Sequence, residues 1–295
     1  MLKAWKRLAP IPSIYSIAMS PPFISGLITK TLRLLSSKYR RSWPLPPTRN
    51  QQEPTVVFLI TPQYSGSTAL AKTLETGPEV GILQERAEGQ WLIPGMCGST
   101  RWNPDKFIDY HSVRQVWMHE FEKLRKANPQ ITTFVEKSPP NINRHDRLVQ
   151  VFPKNISIAN NRNPYAYCAS ILKRQGDDSR KDKSVFLAKT SKDWIARSLT
   201  IQNLILKQQI PLITYEKFCE DPGALAFAIK KNFNIDLNLN LNVKISVKGG
   251  QLEPIINRNE SQISELTMLD IETINKQLTA RPDILDFFGY SLISP

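Results

Sequence analysis

The chain has 295 residues, enough for one large α/β domain or two small ones, and its 41% apolar content suits a globular protein with a real core. Lys and Arg number 39 against 26 acids, a net charge of +13. Such a balance points to polyanions (nucleic acid, anionic lipid, a phosphorylated cofactor or an acidic glycan), with an ordinary solvated surface as the plain alternative. The longest apolar candidate, residues 11–29, is broken by Pro12, Pro21 and Pro22, which excludes a membrane span there.

Residues 1–53 read as a basic extension. Its first eight residues lack the apolar stretch of a signal peptide and suit a surface helix or mobile tail, with a short amphipathic helix touching a membrane or a partner as the alternative. It ends in a proline-rich linker, Trp43-Pro-Leu-Pro-Pro47. The α/β domain is expected over 54–295. It opens with the apolar, β-branched run 55–60, the pattern of a strand buried on both faces of a parallel sheet. Further strands are expected over 131–135, 155–159 and 211–215. Helices are expected near 68–74, 112–127, 141–151, 165–174, 185–208 and 222–232, and over much of 261–290. Strands alternating with helices predict a parallel sheet covered by helices on both faces. The stretch 234–242 alternates Asn with apolar residues and fits either a strand or a polar loop with buried leucines.

Two segments carry the chemistry. After the first strand comes Thr61-Pro-Gln-Tyr-Ser-Gly-Ser-Thr68, a tight turn into a helix start. Unpaired amides at a helix N-terminus bind anions, Gly66 lets backbone come close, and Ser65, Ser67 and Thr68 add hydroxyls. It is not an ATP or GTP P-loop, because Ser67 stands where that motif needs Lys. The second segment follows the strand 155–159. Arg162 lies just past the strand end, and Ser170 and Arg174 share one face of the next helix, so the three suit one phosphate group.

In this order and spacing the two segments resemble the PAPS-dependent sulfotransferases (PAPS is 3′-phosphoadenosine 5′-phosphosulfate), in particular their bacterial and protein-tyrosine branches. Ser65-Gly-Ser-Thr68 is similar to the loop that cradles the 5′-phosphosulfate, and Arg162 with Ser170 to the pair that holds the 3′-phosphate. Arg174 matches an additional arginine of those branches. Lys137, in Glu-Lys-Ser-Pro139, matches the lysine that stabilises the sulfuryl group, and Glu85 falls where the protein-tyrosine branch carries its base; Glu88 and Glu136 are its rivals. Lys248 and Tyr215 are implied as a late phosphate contact and an adenine neighbour. Two positions depart from the family. Tyr64 stands where members place Lys or Arg, with Lys72 one turn further on, and Pro139 replaces the histidine of the small-molecule branch.

The resemblance implies sulfuryl transfer from PAPS, by in-line displacement and without a metal, to an acceptor hydroxyl or amine on a small molecule, glycan or peptide. The acceptor falls to residues 86–121, with Trp91, Trp102, Phe107, Tyr110 and Trp117 as lining candidates, and to the polar loop 176–193. A nucleotide kinase and a non-catalytic nucleotide- or nucleic-acid-binding protein are the alternatives, although no base-reading motif is present. Cys97, Cys168 and Cys219 have neither metal-ligand nor redox spacing, and a reduced, cytoplasmic setting is the default.

Overall fold

The computed structural model describes residues 53–84, 86–175, 182–242, 244–246 and 252–294. The extension expected over 1–53 therefore lies outside the described residues, except for Glu53, whose carboxylate accepts two bonds from the Arg114 guanidinium at 2.6 and 3.0 Å. Four strands pair in parallel: β1 (Thr55–Ile60), β2 (Val80–Ile82), β3 (Thr133–Glu136) and β4 (Asn155–Ala159), in the order β2-β3-β1-β4. The helices follow in chain order: α1 (Ser67–Leu74), α2 (Tyr110–Ala127), α3 (His145–Val151), α4 (Pro164–Gln175), α5 (Lys183–Gln208), α6 (Tyr215–Glu220), α7 (Gly223–Phe233), α8 (Asn259–Ile263), α9 (Met268–Leu278) and α10 (Pro282–Phe288).

All six residues of β1 are buried, as its unbroken β-branched run predicts. Side chains alternate along a strand. Val56, Phe58 and Ile60 thus enter one core, with Trp117, Phe121, Phe134 and Phe152, while Val57 and Leu59 enter the other, with Leu70, Leu74, Phe218 and Ile229. Helices cover both faces of one central sheet. Phe58 meets Phe152 edge-on at 6.1 Å, and truncating it to alanine would cost about 3–5 kcal/mol. Among the described residues, no helix is long and apolar enough to cross a membrane.

One expected strand changes. The segment 211–215 contributes a single parallel bridge, Leu212 to Ala159. The Thr214 side chain accepts the Lys217 N–H and caps α6, so the chain turns helical at Tyr215 before a ladder can grow. Of the two readings left open for residues 234–242, the polar loop with buried leucines is the one found. Leu237 and Leu239 tuck against the second core from an irregular stretch, and its asparagines face outward.

The order of strands positions the site. From β1 the chain passes to β2 and β3 on one side, and β4 lies on the other. The crevice at such a reversal, beyond the carboxyl ends of the strands, is where open α/β sheets bind ligands. The register sets Phe58 beside Glu136 and Ile60 beside Ala159. Lys137, the loop 61–66 and Arg162 consequently leave three adjacent strands at the same edge.

Candidate functional site

The loop after β1 is built to expose backbone. Tyr64 and Gly66 both have positive φ, 62° and 77°, which turns the chain sharply into α1. No side chain caps α1, and no acid lies in its first turn. Its leading amides and positive dipole end thus lack an internal anion. The Ser65 hydroxyl is fully buried yet has no hydrogen-bond partner among the described residues. A buried hydroxyl without a partner costs about 1–3 kcal/mol, so its persistence beside uncapped amides marks a place for an acceptor oxygen. Gly66 serves a second purpose: a Cβ there would overlap the ring of Tyr215.

Arg162 is the centre of the second half. Its backbone is fixed by Asn161 Oδ1, which accepts the Arg162 N–H at 2.9 Å, and by Trp194 Nε1, which donates to its carbonyl at 2.9 Å. The side chain is about 95% buried. It donates from Nε to Asn259 Oδ1 (2.8 Å), from Nη1 to the Tyr64 carbonyl (3.0 Å) and Ser170 Oγ (3.3 Å), and from Nη2 to Gln262 Oε1 (2.7 Å). Every one of these acceptors is neutral. The Tyr215 ring lies 4.1 Å from its guanidinium carbon. Glu216 is near, but its oxygens accept from Asn163 N, Asn259 Nδ2 and the Tyr290 hydroxyl. Burial pulls the Arg162 pKa down from its usual value, and the negative neighbours only partly offset this. A buried guanidinium without a carboxylate in its hydrogen-bond shell is costly unless an external anion completes it.

Arg162 and Ser170 are brought together as their spacing predicts. Arg174, exposed at the end of α4, sits over the Tyr64 ring at 5.7 Å. The position where the resemblance leads to the expectation of a cation therefore holds an aromatic platform with a cation on it. Lys72 is turned away and paired with Glu75 at 2.6 Å.

At the other end, the ammonium of Lys137 is 3% exposed and pairs with Glu88 at 2.8 Å. The second Glu88 oxygen accepts from Trp91 Nε1 (2.8 Å) and Gln90 Nε2 (3.1 Å). Burial pushes the Glu88 carboxyl up, but the Lys137 charge and these hydrogen bonds outweigh it and hold the carboxyl below its usual range. Glu136, named as a rival base, holds the loop in place. It accepts from Gly89 N (2.6 Å), Ser138 N (2.7 Å) and Asn141 Nδ2 (3.0 Å). Burial raises its carboxyl to about 7 against those bonds. Gly89 has to be glycine, since a Cβ would fall 2.6 Å from Glu136 and 2.8 Å from Trp117. With Lys137 N donating to the Ala87 carbonyl at 2.8 Å, residues 87–90 are stitched to 136–138 and Glu88 is presented to Lys137. Glu85 and Lys248 lie outside the described residues.

Beside this pair the arginines stack on tryptophans: Arg101 over Trp91 at 5.7 Å and Arg197 over Trp102 at 3.8 Å. Both tryptophans are half-buried. Trp117, by contrast, is core, stacked on Phe152, and Phe107 is exposed. His145 is also core: its Nε2 meets Ser157 Oγ at 2.7 Å, and burial lowers its pKa to about 4. Among the described residues, no group of His, Cys, Asp and Glu could hold a metal ion. Asn259, Gln262 and Glu216 were not expected in the site. Only the Tyr-Glu pair at 215–216 and the carboxamide-rich stretch 257–262 hint at them.

No family model matches the sequence, and no curated protein is similar to it. In three dimensions the chain is similar to a sulfotransferase from Mycobacterium avium, with TM-score 0.53 and 11% identity over 92% of this chain and 83% of that one. A sulfotransferase domain from a Synechococcus olefin synthase aligns with TM-score 0.47 and 17% identity over 86% of this chain and 100% of that one. At such identities the likeness is one of fold, and the first of the two establishes that this is the α/β architecture in which that sulfotransferase is built.

Proposed function

We propose that the chain transfers a sulfuryl group from PAPS to an acceptor hydroxyl or amine. The observation that carries this is Arg162: a buried cation at the carboxyl edge of the sheet, held by neutral oxygens alone and joined through the Tyr64 carbonyl to a loop with a buried, unpartnered serine hydroxyl. Two anion sites on adjacent strand ends suit a nucleotide with phosphates at both 3′ and 5′ positions.

PAPS brings its sulfuryl group already activated on a sulfate–phosphate anhydride. Ser65, Ser67, Thr68 and the leading amides of α1 hold the 5′ side, and Arg162 and Ser170 the 3′-phosphate. Arg174, on its Tyr64 platform, adds the positive charge that the loop itself lacks. Lys137 stabilises charge on the transferred group in an in-line displacement, which needs positioning and electrostatics more than covalent chemistry. Glu88, the rival to Glu85 that is paired with Lys137, takes the acceptor proton. While Lys137 is bound to it, Glu88 is a weak base. When Lys137 turns to the sulfuryl oxygens, the Glu88 carboxyl loses that charge and its pKa rises toward the range a general base requires.

Calorimetry with PAP, the desulfated product, against 5′-AMP and ATP tests the assignment. PAP should bind about 10-fold or more tighter than AMP, the worth of charge-assisted bonds to one additional phosphate. Arg162→Ala should abolish the preference, and Ser170→Ala, which leaves the buried cation in place, should reduce it. Equal affinity for PAP and AMP in the wild type would show that the donor assignment is wrong and leave the basic residues as a polyanion-binding face.

A further inference from the structure

The geometry points to Gln262 as an internal stand-in for the ligand's phosphate: a specificity-setting residue whose carbonyl oxygen occupies the Arg162–Ser170 anion subsite until the 3′-phosphate displaces it. This rests on the donor assignment above. Gln262 Oε1 accepts from Arg162 Nη2 at 2.7 Å and from Ser170 Oγ at 2.7 Å. One oxygen thus takes a guanidinium proton and a hydroxyl proton at once, the two bonds a phosphate oxygen would take there. A carboxamide oxygen, with two lone pairs, can do this without a charge. It satisfies the donors but leaves the buried cation uncompensated, so a true anion competes favourably.

The surroundings allow the exchange. Gln262 is only half-buried, so its side chain has a route to water. The strap that carries it is latched elsewhere. The Tyr215 hydroxyl donates to the Ile256 carbonyl at 3.0 Å and accepts the Arg258 N–H at 3.1 Å, and Asn259 bridges Arg162 Nε and Glu216. Rotation of one side chain therefore opens the subsite while the strap stays in place. Arg162 also keeps its bonds to Asn259 and the Tyr64 carbonyl, so the guanidinium remains aimed at the subsite throughout. A ligand without a 3′-phosphate has no anionic oxygen to offer in exchange and leaves Gln262 in place. The displaced residue thereby lowers the affinity for a 3′-phosphate and sets how large the preference over AMP can be.

The test uses PAP and 5′-AMP with the full chain and two variants. Gln262→Ala removes the competitor and should tighten PAP about 5-fold, the worth of a typical net hydrogen bond, with AMP unchanged. Gln262→Glu plants a tethered carboxylate on Arg162. It should weaken PAP by about 10-fold or more, leave AMP unchanged, and raise the thermal midpoint of the ligand-free protein, because the buried cation gains a counter-charge. The thermal readout does not depend on the identity of the ligand. If wild type prefers PAP over AMP but Gln262→Ala binds PAP equally or more weakly, Gln262 is no competitor and this inference fails while the donor assignment stands. If wild type shows no preference, both fail. If Gln262→Glu lowers the thermal midpoint, the inferred contact with Arg162 is wrong whatever the ligand does.

Discussion

Two buried cations follow the carboxyl ends of β3 and β4, and the protein treats them differently. Lys137 is paired with a carboxylate at 2.8 Å, whereas Arg162 is surrounded by a carbonyl, a hydroxyl and two carboxamides. An internally paired charge is stable at rest and becomes available only when its partner is drawn off. A charge held by dipoles alone is oriented without being neutralised. The first arrangement suits a group that acts during a reaction, the second a group that waits for an anion.

That contrast can be broken. Lys137→Ala should lower turnover by about 10²–10³-fold, as loss of a charge-stabilising donor does. It should also destabilise the fold by about 3 kcal/mol, because Glu88, largely withdrawn from water, is left without its counter-charge. Adding Glu88→Gln should restore much of the stability and none of the activity; unfolding midpoints and initial rates on the two variants separate these effects. If the single variant is as stable as wild type, the Lys137–Glu88 contact is not a resting pair.

A smaller effect concerns the frame beneath the pair. Glu136→Gln replaces an acceptor that faces Gly89, Ser138 and Asn141 donors with a group that brings its own hydrogens, at a cost of about 1–3 kcal/mol. The folded-state carboxyl, near 7 against a usual 4.5, binds its proton more tightly than the unfolded chain does. Its contribution to stability is therefore largest below pH 4.5 and declines as pH rises through about 7. Denaturant titrations across that window should show the slope in wild type and lose it in Glu136→Gln. The smallest effect is expected at the exposed rim. Arg174→Ala should weaken PAP by a few-fold, more at low salt than at high, since an exposed cation over a ring contributes about 0.5–1 kcal/mol.

Much of the frame could be read from the sequence because its elements announce themselves locally. The runs 55–60 and 155–159 became strands within those bounds, and Pro164 begins α4. Arg162 and Ser170 are eight positions apart on a strand end and a helix, and that spacing alone brings them into contact. What was hidden depends on distant pairing. Glu88 and Lys137 are separated by 49 positions, and Asn259 and Gln262 reach Arg162 from 97 and 100 positions away. Nothing in a short polar helix says that its carboxamides will lie on a buried guanidinium. The segment 211–215 misled for the opposite reason: its apolar pattern is a strand's, but the cap at Thr214 prevails over it.

The Tyr215 ring has one edge against Gly66 and one face on the Arg162 guanidinium. A single rigid plate thus transmits position between the two halves of the crevice, so neither half can relax alone. On the proposed donor assignment, a molecule that grips one half finds the other already set at the right span, and the entropy of placing its second anionic group is lost only once. Molecules with two anionic groups at that span gain from the plate, and single anions do not.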